Sequence, residues 1–180
     1  ALENALRFLP GSVYAHIFLH DQEQGVLKFG AALKSDGSRG QLLTKPRPNG
    51  LSYTVVKTGQ PVVMSDVSTH PVFDNFRPRG LVASVGIPLK IGQRVLGVMN
   101  VTHPYPRQFT QSELHILSLL GDQAAIAIEN ARLFQEAETE RRHLGLLYDL
   151  GRGLAASLQL EEILSRAVTL TCQALDGLIG

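Results

Sequence analysis

The sequence has one cysteine, Cys172, and no tryptophan. A single thiol rules out an internal disulfide, and the expected compartment is a reducing one, the cytoplasm. Charge of one sign is also lacking: 17 Lys and Arg stand against 16 Asp and Glu, for a formal net charge of +1. Without a basic excess there is no long-range pull on phosphate backbones or anionic lipid. Neither nucleic acid nor a membrane is therefore an expected partner. The apolar runs at 117–120 and 124–128 stop far short of the ~20 residues of a membrane-spanning helix, and no leader pattern opens the chain.

What is present is ordinary globular material: 180 residues, 44% hydrophobic and 18% charged, enough for one core and some additional chain. Residues 1–9 have helical spacing and stop at Pro10 and Gly11. Residues 12–20 and 26–33 read as a strand pair joined by a polar turn. The Gly-, Ser- and Pro-rich stretch 34–49 reads as loop. Residues 50–58 form a short helix closed by Gly59, with Pro61 just beyond, and 62–64 a short strand. Residues 82–91 and 95–103 are two apolar runs hinged at Gly92 and Gln93. Thr110 and Glu113 then fit a capping box, and Leu114, Leu117, Gly121, Ala124 and Ile128 line one face of a helix. The order predicts an α+β fold around antiparallel hairpins.

Four segments in this order carry a resemblance: GLSYTVVKTGQPVVMSDV (50–67), SVGIPLKIGQRVLGVMNV (84–101), FTQSEL (109–114) and LLGDQAAIAIENARLF (119–134). Together they resemble a GAF domain over residues 10–135. The resemblance implies a sheet of about six antiparallel strands, with helices on one face and a ligand pocket under loops on the other. It places the sensory domain at 1–136 and a linker helix at 137–158. The stretch 159–180 is similar to the opening helix of a second GAF domain, as in a tandem-domain sensor such as a histidine kinase. The chain opens on Ala1 and ends in the apolar run Leu178, Ile179 and Gly180, which reads as a piece of a longer protein.

The chemistry of the family's branches can be checked against these residues. One branch reduces free methionine sulfoxide with several positioned thiols, and the bilin-binding branch uses a cysteine within the domain. Cys172 lies outside it. The cyclic-nucleotide marker is broken, since Val101 follows Asn100 and Leu114 follows Glu113. Ser84, His103 and Asp66 make a triad only on paper, with no nucleophile elbow. His16, His20, His70, His103, His115 and His143 are dispersed. On one strand His16 and His20 would stand about 13 Å apart, too far for one ion. The chain is therefore expected not to be an enzyme and to hold no metal, and no cofactor is named by its residues.

What remains is a non-covalent cleft. The resemblance puts it between the sheet and the segments 50–58 and 66–79, and the candidate ligand-binding residues are Tyr53, Phe73, Phe76, Arg77, Arg79 and Ser84. The opposing reading is that Phe73 and Phe76 plug the space. Ile126, Asn130, Leu133, Ala137, Glu140, Leu144, Leu147, Gly151, Leu154 and Leu158 step by four and three, a heptad seam with polar interruptions. The helix is read as stuttering at Gly151 and Gly153 and resuming from Leu160. The expected function is a sensory module that binds an unidentified small molecule or partner. It would pair as a parallel homodimer and relay the signal to a downstream output domain. The rival reading is a ligand-free dimerisation and relay domain.

Overall fold

The β-forming residues of 14–21 and a Gly-hinged pair of apolar runs in 83–103 supply the three central strands. The computed structural model describes residues 1–42, 45–67 and 82–179, with side chains there except for 154–158 and 171–179. The elements are α1 (Leu2–Phe8), β1 (Tyr14–Asp21), β2 (Val26–Lys34), α2 (Leu51–Thr58), β3 (Val62–Met64), β4 (Ala83–Ile91), β5 (Arg94–His103) and α3 (Gln111–Ile179). The chain divides into two units, residues 1–130 and 131–180.

In the first unit the strands form one antiparallel sheet in the order β2-β1-β5-β4-β3. The α+β class is as expected, and the sheet has five strands among the described residues where about six are expected. An isolated bridge also joins Leu33 to Arg39, backed by Gly40 N donating to the Ala32 carbonyl at 2.9 Å.

The two faces of the sheet pack differently. Ala15, Val85, Ile87, Leu89, Met99 and Val101 point to one face and form the main core with Ala5 and Leu9, next to α1, and with Leu117, Ala124 and Ala125 of α3. Gly121 lets α3 lie this close. A Cβ there would stand 2.9 Å from Ile87 Cγ2 and 3.1 Å from the Pro88 carbonyl. The other face carries a smaller cluster of Phe18, Leu27, Val55 and Val98, with Tyr53, Val56 and Val62 packed on it.

The capping box forms as read. Glu113 N donates to Thr110 Oγ1 at 3.3 Å, and Thr110 N donates to Glu113 Oε2 at 2.9 Å. Arg107 pairs with the same carboxylate and lies over the Phe109 ring. Thr110→Ala is expected to lower stability by about 1 kcal/mol, the usual worth of such a cap. Urea denaturation would show this as a lower midpoint with an unchanged slope.

In the second unit the helix does not stutter. Its backbone remains helical through Gly151 and Gly153 to Ile179. A helical glycine costs about 1 kcal/mol relative to alanine but keeps its N–H, and no proline follows Pro106. No helix among the described residues is long and apolar enough to cross a membrane.

Candidate functional site

On the sheet face that carries α2, side chains alternate out of three adjacent strands: Tyr14, His16 and Phe18 from β1, Thr102, Asn100 and Val98 from β5, and Ser84, Gly86 and Pro88 from β4. Cross-strand register aligns them in rows. Tyr14 stands opposite Thr102 and Thr102 opposite Ser84, while His16 stands opposite Asn100 and Asn100 opposite Gly86. The main core takes the large aliphatic residues of β4 and β5 on the opposite face. This face keeps the small and polar ones.

A buried polar network occupies the second row. The Asn100 amide nitrogen makes two contacts at 3.0 Å, one to Ser52 Oγ on α2 and one to His16 Nε2 on β1. Asn100 is 2% exposed. The amide nitrogen has two hydrogens and no lone pair to offer, so His16 Nε2 accepts and the ring proton sits on Nδ1. His16 is neutral in this arrangement, and burial pushes its pKa down to about 4. Its ring lies 5.4 Å from that of Tyr14 and 5.0 Å from that of Phe18 between centroids. Tyr14 donates its hydroxyl to the Gln41 carbonyl, and burial raises its pKa.

Two atoms of this network have no hydrogen-bond partner: His16 Nδ1 and Asn100 Oδ1. Leaving a buried polar atom unsatisfied costs roughly 1–3 kcal/mol. The Asn100 oxygen is held beside Gly86, where a Cβ would stand 3.0 Å from it, 2.8 Å from Val55 Cγ2 and 3.3 Å from Leu51 Cγ. The missing side chain at Gly86 is thus what allows α2 to settle on the sheet, and Ser52 ties it down.

The residues singled out in the sequence fare as follows. Tyr53 lies on α2, packs on the Phe18 cluster and accepts a hydrogen bond from Leu27 N at 3.3 Å. Ser84 lies in the first row, its hydroxyl donating to the Val101 carbonyl at 3.3 Å and standing 3.5 Å from Thr102 Oγ1. Phe73, Phe76, Arg77 and Arg79 lie outside the described residues. Strand parity dissolves the paper triad. Ser84 shares its face with Thr102, while His103 projects to the other, where its ring meets Gly11. His16, Asn100, Ser52 and Thr102 were not among the candidates. The available signal was polar side chains at every second position in YAHIF and MNVTH. Two open clefts of about 420 and 580 Å³ lie elsewhere, beside Lys90 and His115 and beside Arg7 and Asp36. Neither contains a candidate residue.

Comparison with known proteins gives this geometry a context. The GAF domain family matches residues 1–129. Among solved structures, the chain is similar to the GAF domain of a phosphoenolpyruvate-protein phosphotransferase from Coxiella burnetii. Identity is 21%, with a TM-score of 0.55, over 68% of this chain and 74% of that one. It is similar to a domain assigned to a two-component sensor histidine kinase from Sinorhizobium meliloti 1021, at 21% and 0.52 over 78% and 90%. It is also similar to the free methionine-R-sulfoxide reductase from Neisseria meningitidis in complex with its substrate, at 22% and 0.59 over 73% and 78%. At these identities the likeness is one of fold.

The last comparison overturns one expectation. Catalysis was excluded on the thiol inventory, yet the fold is one that a methionine sulfoxide reductase also uses. A count of thiols speaks to one route only, so the exclusion does not stand. With the family matched over most of its length, the chain belongs to the GAF domains, a family of sensory and signalling modules.

Proposed function

We propose that this GAF domain binds a small molecule on the α2 face of its sheet, over the His16–Asn100–Ser52 network, and relays occupancy through paired α3 helices to an output domain. The observation that carries the reading is the pair of buried, unpartnered polar atoms on His16 and Asn100. A solid apolar plug would leave no reason to keep them. A ligand that completes these hydrogen bonds would change what Asn100 offers Ser52 and so bias how α2 sits. The relay half of the reading rests on the helix 131–179, where Leu144, Leu146, Leu147 and Leu150 are each more than half exposed. A second copy paired in parallel would bury Leu144 and Leu147.

Native mass spectrometry of the purified protein tests the binding half. The chain is expected to retain an added non-covalent mass that Asn100→Leu loses while its circular dichroism is unchanged. Bare masses from both would leave a ligand-free dimerisation role as the better reading.

A further inference from the structure

The helix 131–179 has more apolar surface than one pairing seam accounts for. Within this helix the first seam runs Leu133, Ala137, Glu140, Leu144, Leu147, Gly151, Leu154 and Leu158. A second set obeys the same four-and-three rule: Leu146, Leu150 and Gly153, then, one heptad on, Leu160, Leu164 and Ala167. At 3.6 residues per turn the second stripe lies about 130° round the helix from the first. Leu146, Leu150, Leu160 and Leu164 are 56–65% exposed. Beside Leu160 and Leu164 the first stripe has exposed Glu161 and Ser165 before its next apolar position, Val168.

The backbone is helical without a break across the overlap. Two straight parallel helices can turn only one of these stripes toward each other at a time. Each stripe carries one glycine in the overlap, Gly151 in the first and Gly153 in the second. A Cβ at either would meet open space, so neither is needed for packing within the chain. A membrane surface is a poor occupant of the second stripe, because residues 131–179 carry seven carboxylates against five arginines and no lysine. A second copy fits better, since a heptad stripe is complementary to itself.

We infer that the stripe Leu146, Leu150, Leu160 and Leu164 is a second dimer seam, exclusive of the first, so that two copies of this chain have two alternative parallel pairings related by helix rotation. This rests on the dimer reading above and supplies the two-state element that a relay requires. What biases the sensory domain need only favour one pairing over the other.

Disulfide trapping in the Cys172→Ser background tests it. Leu147→Cys reports the first seam, Leu160→Cys the second, and Arg152→Cys faces away from both. Oxidation with copper phenanthroline is expected to convert most of each seam variant, and little of the Arg152→Cys control, to covalent dimer. The chain carrying both seam cysteines should form one bridge per dimer, with two thiols left open to maleimide. Dimer from Leu147→Cys alone would overturn the second seam and leave the dimer reading intact. Dimer from Leu160→Cys alone would overturn the alternation, as would two bridges closing in one dimer. No dimer from either would overturn the dimer reading and this inference with it.

Discussion

A chain carrying Leu147→Glu together with Leu150→Glu is expected to sediment as a monomer at micromolar concentrations where the unaltered chain is expected to be a dimer. Both leucines are 65% exposed on the helix of the second unit, so the isolated helix loses little by the exchange. A paired helix loses much more. Leu147 belongs to one heptad stripe and Leu150 to the other, so the double change removes a leucine layer from either mode of pairing. Each buried leucine is worth roughly 1.5–3 kcal/mol, and carboxylates brought face to face across the seam add repulsion. A rise in the dimer Kd of at least about a hundredfold follows, at roughly 1.4 kcal/mol per decade. Circular dichroism should show the helix retained, which separates lost pairing from lost folding. Sedimentation that returns an unchanged Kd would place self-association elsewhere and leave the relay without its helix.

Much of the first unit was legible because its signals are local. The Thr110–Glu113 box sits within four residues, and its hydrogen bonds form as the pattern requires. Gly59, Pro61 and the Gly92 hinge mark ends that the elements respect. The stripe of α3 reads directly as core, since Leu117, Gly121 and Ala124 fall at helical spacing and are buried.

The polar network was not legible, and the reason is physical. The polar positions of MNVTH and YAHIF alternate within mostly apolar strands, and nothing local says what they face. Asn100 then reads as an interruption rather than as half of a pair. Its partner His16 is 84 residues away in sequence, and only the register of β1 against β5 brings them level. The expectation of about six strands has a different origin: the family pattern supplied it, while the five strands found among the described residues are those that the local apolar runs mark. Gly151 and Gly153 misled in a third way, because low helix propensity is a cost and not a stop.

Acid should weaken this fold through His16 in particular. Its folded pKa is about 4, lowered from 6.5 by burial, so between those values the unfolded chain binds a proton that the folded chain refuses. The stability His16 contributes is therefore complete above about pH 6.5 and is lost progressively as pH falls toward 4. A difference of this size corresponds to about 3 kcal/mol. The residue keeps some exposure, and solvent screening makes the expected loss smaller than this. Asp21 and Asp36 also titrate low, held there by hydrogen bonds from Lys28 and from Ser38, so the measurement is made as a difference. Urea midpoints of the native chain and of His16→Phe are compared at pH 7 and pH 4.5, where the carboxylates cancel between the two. The native chain is expected to lose more stability across that interval than the variant, even though the variant starts lower for want of an acceptor for Asn100. Nitrogen chemical shifts at neutral pH should report the His16 proton on Nδ1. Equal losses in the two chains would mean that burial does not hold His16 neutral, and a proton on Nε2 would mean that Asn100 does not donate to it and that the network offers a ligand a different set of donors and acceptors.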